Sequence, residues 1–219
     1  MGVGMSNPEI FTVKTSQKKG TISGYMREGS DEVIAPEDIG RYLEGGERIS
    51  YKREVYRLDE HGNLIHCDIE LPENLSLGSG VLLGPNIVFT NPSNDKPTVI
   101  EDRVAISGET RLRSGLHIAT HTVVRLGASI GESDIGPYGK IGPRTNVSDG
   151  VSLGASVVTG ENVQVSSGVT AESHVRIDDN AVIGPNAELG ARVYIGEGVR
   201  IPQDMIIGPN SRLRTNNLA

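Results

Sequence analysis

One spacing constrains this chain more than any other feature. From Leu83 an aliphatic or similar residue returns every six positions: Phe89, then Ile100, Ile106, Leu112, Ile118, Val124 and Ile130. After one slip the series resumes at Ile135 and runs through Ile141, Val147, Leu153, Thr159, Val165, Ala171, Ile177, Ile183, Leu189, Ile195, Ile201 and Ile207 to Leu213. Four positions past most of these sits a small or β-branched residue, such as Val104, Thr110, Thr122, Val151, Val157 or Val175. The position just after is often glycine, as at Gly84, Gly131, Gly136, Gly142, Gly154, Gly160 and Gly184. A fixed short period means stacked, near-identical units. Short β-branched runs broken by Gly, Pro-Asn and Asp mean strands with tight corners.

Physically, each hexad forms one side of a triangular coil, with the aliphatic and the small residue pointing inward. Glycine after the aliphatic is expected to carry a positive φ at the corner. Three hexads close a coil of about 18 residues, and coils stack at about 4.8 Å, the spacing of paired strands. The pattern resembles the hexapeptide-repeat family, whose members fold as a left-handed parallel β-helix. The resemblance covers roughly two-thirds of the chain and implies a mainly β protein of seven to eight coils. The expected division is a small N-terminal α+β cap over residues 1–74 and the β-helix over 75–219.

Bulk composition narrows the function classes. The chain has 219 residues, a net charge of −7 and a pI near 5.3. That balance argues against a nucleic-acid partner, which favours a basic face. A single cysteine, Cys67, excludes an intramolecular disulfide and a Cys-rich metal site. No apolar run reaches transmembrane length, and no signal-peptide core is present, so no membrane partner and a cytoplasmic location are expected.

Before the repeat, Pro36 to Leu43 reads as a short helix stopped by Gly45-Gly46. Ile49 to Leu58 and Leu64 to Leu71 alternate around Glu60-His61-Gly62-Asn63, a hairpin pattern. His61 and His66 are read as structural. The region is expected to cap the open end of a solenoid, with substrate recognition as the alternative role.

Functional sites are where local rules most often fail. The repeat breaks between Phe89 and Ile100, where the step is eleven, so residues 91–97 must bulge as a loop. It breaks again between Ile130 and Ile135, where one residue is missing. Corner glycine is absent at Ser107, Arg113, Ala119 and Arg125. His117 and His121 lie in this zone. Ile118 and Ile135 are three hexads apart, so the outward residues before them, His117 and Asp134, should stack on adjacent coils. A carboxylate beside an imidazole fixes its tautomer, as a general base needs. His121 falls at a corner that later coils fill with Tyr138, Ser156 and His174.

Three stretches resemble particular branches of the family. Gly84-Pro85-Asn86-Ile87-Val88-Phe89-Thr90-Asn91, with the Pro-bounded loop and Lys96-Pro97-Thr98-Val99-Ile100, is similar to nucleotide-sugar N-acetyltransferases. That resemblance implies acceptor binding by Asn91, Asn94 and Lys96. His117-Ile118-Ala119-Thr120-His121 resembles the His-Ile-Ala-His stretch of UDP-N-acetylglucosamine O-acyltransferases. Thr120 replaces the second histidine, which leaves His117, with Asp134 and His121, as the catalytic candidates. Gly154-Ala155-Ser156-Val157-Val158-Thr159 resembles an acetyltransferase stretch that meets pantetheine, which implies a cofactor contact at Gly154, Ala155 and Ser156.

Together these imply an acyltransferase using acetyl-CoA or another acyl-CoA. Its acceptor would be an amino or hydroxyl group of a nucleotide sugar or related saccharide, and it would work as a homotrimer with no metal. A non-catalytic trimeric scaffold is the main alternative. A zinc protein like the γ-class carbonic anhydrases is a further one, weakened because no third histidine lies near His117 and His121.

Overall fold

The computed structural model describes strands Ile10–Phe11, Tyr25–Met26, Val33–Ile34 and Arg48–Tyr51, and residues 54–90 and 96–214. The chain divides into two compact units, residues 1–68 and 69–219. In the first, β1 (Ile10–Phe11) runs parallel to β4 (Arg48–Tyr51), and β2 (Tyr25–Met26) pairs antiparallel with β3 (Val33–Ile34). β5 (Glu54–Leu58) lies antiparallel to β4 and to β6 (Leu64–His66). The hairpin around residues 60–63 is therefore present. The run from Ile49 to Leu58 is two strands, however, and the strand after the turn ends at His66. The ring of His66 packs edge-on against Tyr56, with centroids 5.3 Å apart, and both residues are buried. The helix expected at 36–43 lies outside the described residues.

The second unit is a parallel β-helix of the left-handed type, with about eight coils. Its strands fall in turn on three faces. Face 1 carries Leu75–Leu77, Thr98–Ile100, His117–Ile118, Asp134–Ile135, Ser152–Leu153 and their successors to Ile206–Ile207. Face 2 runs from Leu82–Leu83 to Arg212–Leu213, and face 3 from Val88–Thr90 to Arg200–Ile201. Every inter-coil pairing is parallel and in register, for example Ile100↔Ile118 and Ile118↔Ile135. The inward columns form the core: Leu83, Ile106, Leu112, Ile118, Ile141 and Ile183 are fully buried. Thr159 interrupts an aliphatic column, and its hydroxyl accepts the N–H of Gly142 at 2.9 Å. Removing an aliphatic from such a column costs about 2–5 kcal/mol.

The corners correct the expectation about glycine. The left-handed residue stands three positions past the aliphatic, not one. It is a glycine at Gly80, Gly115, Gly127, Gly150, Gly168 and Gly198, and otherwise Asn86, Arg103, Glu109, His121, Tyr138, Arg144, Ser156, Asn162, His174, Asn180, Asn186, Arg192, Asp204 or Asn210, with φ between 53° and 62°. Its N–H donates to a corner carbonyl of the preceding coil, as Tyr138 does to Thr120 at 3.0 Å and Ser156 to Pro137 at 2.8 Å. That bond carries the ladder around the bend and offsets the cost of a left-handed non-glycine residue, about 1–2 kcal/mol. The glycine directly after the aliphatic serves close approach instead. A Cβ on Gly142 would sit 1.8 Å from the Gly160 carbonyl oxygen, and one on Gly136 would sit 2.6 Å from Gly154. At Gly131 and Gly160 the space is taken by the carboxylates of Asp149 and Asp179, which accept the N–H of Glu132 and Glu161.

The missing residue between Ile130 and Ile135 shortens one corner. Gly115 and Gly150 are left-handed in the neighbouring coils, but residues 131–133 supply no such residue. Ser133 turns inward there, buried, and bonds back to the Gly131 carbonyl at 3.0 Å. Asp134 then stands in register with His117.

Candidate functional site

The outward column of face 1 brings His117 between two carboxylates. Nδ1 lies 3.3 Å from Oδ1 of Asp134 on the following coil, and Nε2 lies 2.8 Å from Oε1 of Glu101 on the preceding one. Glu101 is held at a second point, because its Oε2 accepts the Thr120 N–H at 3.0 Å. It stands one residue past Ile100, in register with Ala119 of the following coil. The Asp134 side chain is 73% exposed against 37% for Glu101. Glu101 is thus the anchored partner and Asp134 the solvated one. A doubly protonated ring donates to both, while a neutral ring donates to one and keeps a lone pair on the other nitrogen.

His121 belongs to a different arrangement. It occupies the left-handed corner, where Arg103 Nη1 lies 3.3 Å from its Nε2. A guanidinium can only donate, so Nε2 is the acceptor and Nδ1 carries the proton. Nδ1 is buried without a partner among the described residues. The ring stacks on Tyr138, with centroids 5.0 Å apart and planes inclined by 23°. The lone pair of His121 is thus directed at Arg103.

The remaining candidates are spread along the same prism. Lys96 lies at the corner between faces 3 and 1 and forms an ion pair with Glu132. Hydrogen bonding to that carboxylate, and its charge, hold the Lys96 ammonium above its usual range. Asn91 and Asn94 lie outside the described residues. Gly154, Ala155 and Ser156 form the corner between faces 1 and 2, two coils beyond His117 and just past the Ser152–Leu153 strand. The sequence reading missed Glu101, although it is an acid at a position where the repeat often prefers glycine. It also missed a groove of about 280 Å³ on face 3, bordered by Arg111, Arg113, Ser129, Asn146 and Asp149. There Arg113 reaches across Gly131 to form an ion pair with Asp149 two coils on.

Among the described residues no cluster of three His, Cys, Asp or Glu is suited to a metal ion. Nor is any helix among them long and apolar enough to cross a membrane.

With the coil geometry in hand, the comparison with protein families is direct. The model of the bacterial transferase hexapeptide (six repeats) matches residues 168–203. The matched stretch spans two coils of the six-residue series that runs without insertion or deletion from Ile135 to Leu213. Two solved structures are similar to the chain. One is a Bacillus cereus protein described as an acetyltransferase, 15% identical, with a TM-score of 0.30 over 58% of this chain and 78% of its own. The other is the UDP-N-acetylglucosamine acyltransferase of Francisella novicida, 13% identical, with a TM-score of 0.30 over 70% of this chain. This chain spans 65% of the length of that second protein. At these values neither defines an activity for this chain.

Proposed function

We propose that the protein is an acyltransferase that moves an acyl group from acyl-CoA to an amine or hydroxyl of a nucleotide sugar or related saccharide. The observation that carries this reading is His117, outward on a hexapeptide-repeat coil and set between Glu101 and Asp134. Glu101 holds Nε2–H and so leaves the Nδ1 lone pair on the side of Asp134. The acceptor displaces Asp134 from Nδ1, and Nδ1 takes its proton as the acceptor oxygen or nitrogen attacks the thioester carbon. The new bond forms, the C–S bond breaks, and the imidazolium returns the proton to the departing thiolate. Asp134 stabilises the imidazolium between those events. Asn91, Asn94 and Lys96 would hold the acceptor, and the corner at Gly154, Ala155 and Ser156 would carry the pantetheine arm. The assembly would be a homotrimer, with the slot for acyl-CoA lying between neighbouring prisms.

The test is thiol release from a panel of acyl-CoAs mixed with nucleotide sugars. General-base catalysis contributes about 10²–10⁴-fold, so His117→Ala should lower turnover by about that factor while acyl-CoA binding persists. Retained turnover in that variant removes His117 as the base. A second reading, a non-catalytic scaffold, draws on the fact that both ring nitrogens of His117 already face carboxylates. Absence of acyl-CoA binding to the wild-type protein selects it.

A further inference from the structure

We infer that the corner between faces 1 and 2 holds a stacking slot for a nucleobase, floored by Ser156 and walled by Tyr138 and His174. Successive coils place Arg103, His121, Tyr138, Ser156, His174 and Arg192 in one column, all with left-handed backbone. The column is stitched by backbone bonds from each corner N–H to the coil before, including Tyr138 to Thr120 at 3.0 Å and His174 to Ala155 at 2.9 Å. His121 and Tyr138 already stack in it, with a centroid separation of 5.0 Å and an interplanar angle of 23°. That separation is close to one coil step of about 4.8 Å. His121, on the preceding coil, covers one face of Tyr138, and the opposite face is left on the side of the next coil.

The next coil offers only Ser156, whose side chain is too short to cover an aromatic face. Tyr138 is accordingly 57% exposed. The next ring-bearing residue of the column is His174, whose backbone is two coil steps from that of Tyr138, or about 9–10 Å. A ring inserted with the same offset as the His121–Tyr138 pair would lie about 5 Å from each wall, within the range of aromatic stacking. The slot thus fits one planar ring. Its floor selects a ring with polar edges: the Ser156 hydroxyl has no hydrogen-bond partner among the described residues. The exposed imidazole of His174 adds a second polar edge. Nucleobases combine a flat π face with edge donors and acceptors, and stacking on an aromatic side chain tolerates any of them.

The slot adjoins the corner proposed for the pantetheine arm and shares Ser156 with it, but it is tested without acyl-CoA. A base here belongs either to an adenine-bearing or to a uracil-bearing ligand, and titration calorimetry with AMP and UMP separates the two. We expect at least one to bind the full-length protein. Tyr138→Ala should weaken it by about 5- to 100-fold, Tyr138→Phe should retain it, and Ser156→Leu should abolish it by filling the floor. Circular dichroism melting curves check that the variants stay folded. His117→Ala should leave nucleotide binding unchanged, so loss of turnover in that variant and loss of the slot read out separately. Failure of both nucleotides to bind overturns the inference. So does binding that is indifferent to Tyr138→Ala and Ser156→Leu.

Discussion

Nε2 of His117 lies 2.8 Å from Oε1 of Glu101, and the other oxygen of that carboxylate is tied to the backbone of Thr120. The two residues sit on adjacent coils and in adjacent columns, so the contact is diagonal. It pins the imidazole from the more sheltered side and gives Glu101 and Asp134 unequal tasks.

Glu101→Gln should therefore cost more than Asp134→Asn. Losing the orienting carboxylate misplaces the base, and misplacement on the order of 1 Å can cost about 10²-fold. Turnover and KM should be measured for both variants with one acyl-CoA and one acceptor. We expect the loss in Glu101→Gln to fall on kcat. A greater loss in Asp134→Asn would reverse the assigned roles.

The glycines after the aliphatics should divide sharply on substitution. Gly142→Ala drives a Cβ into the Gly160 carbonyl, whereas a Cβ on Gly208 meets nothing within 4 Å. We expect Gly142→Ala to destabilise the protein by about 1–3 kcal/mol, as overpacking does, and Gly208→Ala to be nearly neutral. Chemical denaturation of the two variants side by side measures this.

The cluster of Arg176, Asp178 and Tyr194 should mark the pH limits of its part of the helix. Burial pushes the Asp178 carboxyl up, but hydrogen bonds from Tyr194 and Arg176, with the arginine charge, bring it below its ordinary range. The hydrogen bond to Asp178, and then burial, push the Tyr194 phenol above its usual value. A lowered carboxyl adds stability that is present above its unfolded pKa and lost as pH falls through the folded one. A raised phenol adds stability that is present below its unfolded pKa and lost as pH rises through the folded one. Melting temperature against pH should thus fall below about pH 4 and above about pH 10. Tyr194→Phe should remove the alkaline component arising here and reduce the acidic one, because the phenol also donates to Asp178.

Assembly is checked by mass. A homotrimer of this 23.3 kDa chain should sediment at about three times the monomer mass at micromolar concentration. A monomer would remove any site formed between prisms.

Much of the architecture could be read from spacing alone. A six-residue period sets both the inward columns and the stacking register, so the neighbours His117 and Asp134 could be found by counting. Counting within a column cannot find Glu101, because its contact crosses to the next column. The period also does not say which corner residue is left-handed. Asn86, Asn162, Asn180, Asn186, Asp204 and Asn210 carried that information, since Asn and Asp tolerate this backbone better than most residues. The abundance of glycine two positions earlier drew attention away from them. In the first unit, alternation alone did not separate the two strands within Ile49–Leu58, because an antiparallel reversal preserves the alternating pattern on both sides.

The corner bonds described above join each coil only to its immediate neighbours, and this makes the prism a ruler. Axial distances between residues of one column come in whole multiples of a single strand spacing, about 4.8 Å. His117 and the Ser152–Ser156 corner are two graduations apart. Insertion of one complete 18-residue coil between them would lengthen that interval by one graduation and leave each local geometry intact. The reach between two sites on this molecule is thus quantised, and it can be reset by the number of coils rather than by the shape of any one of them.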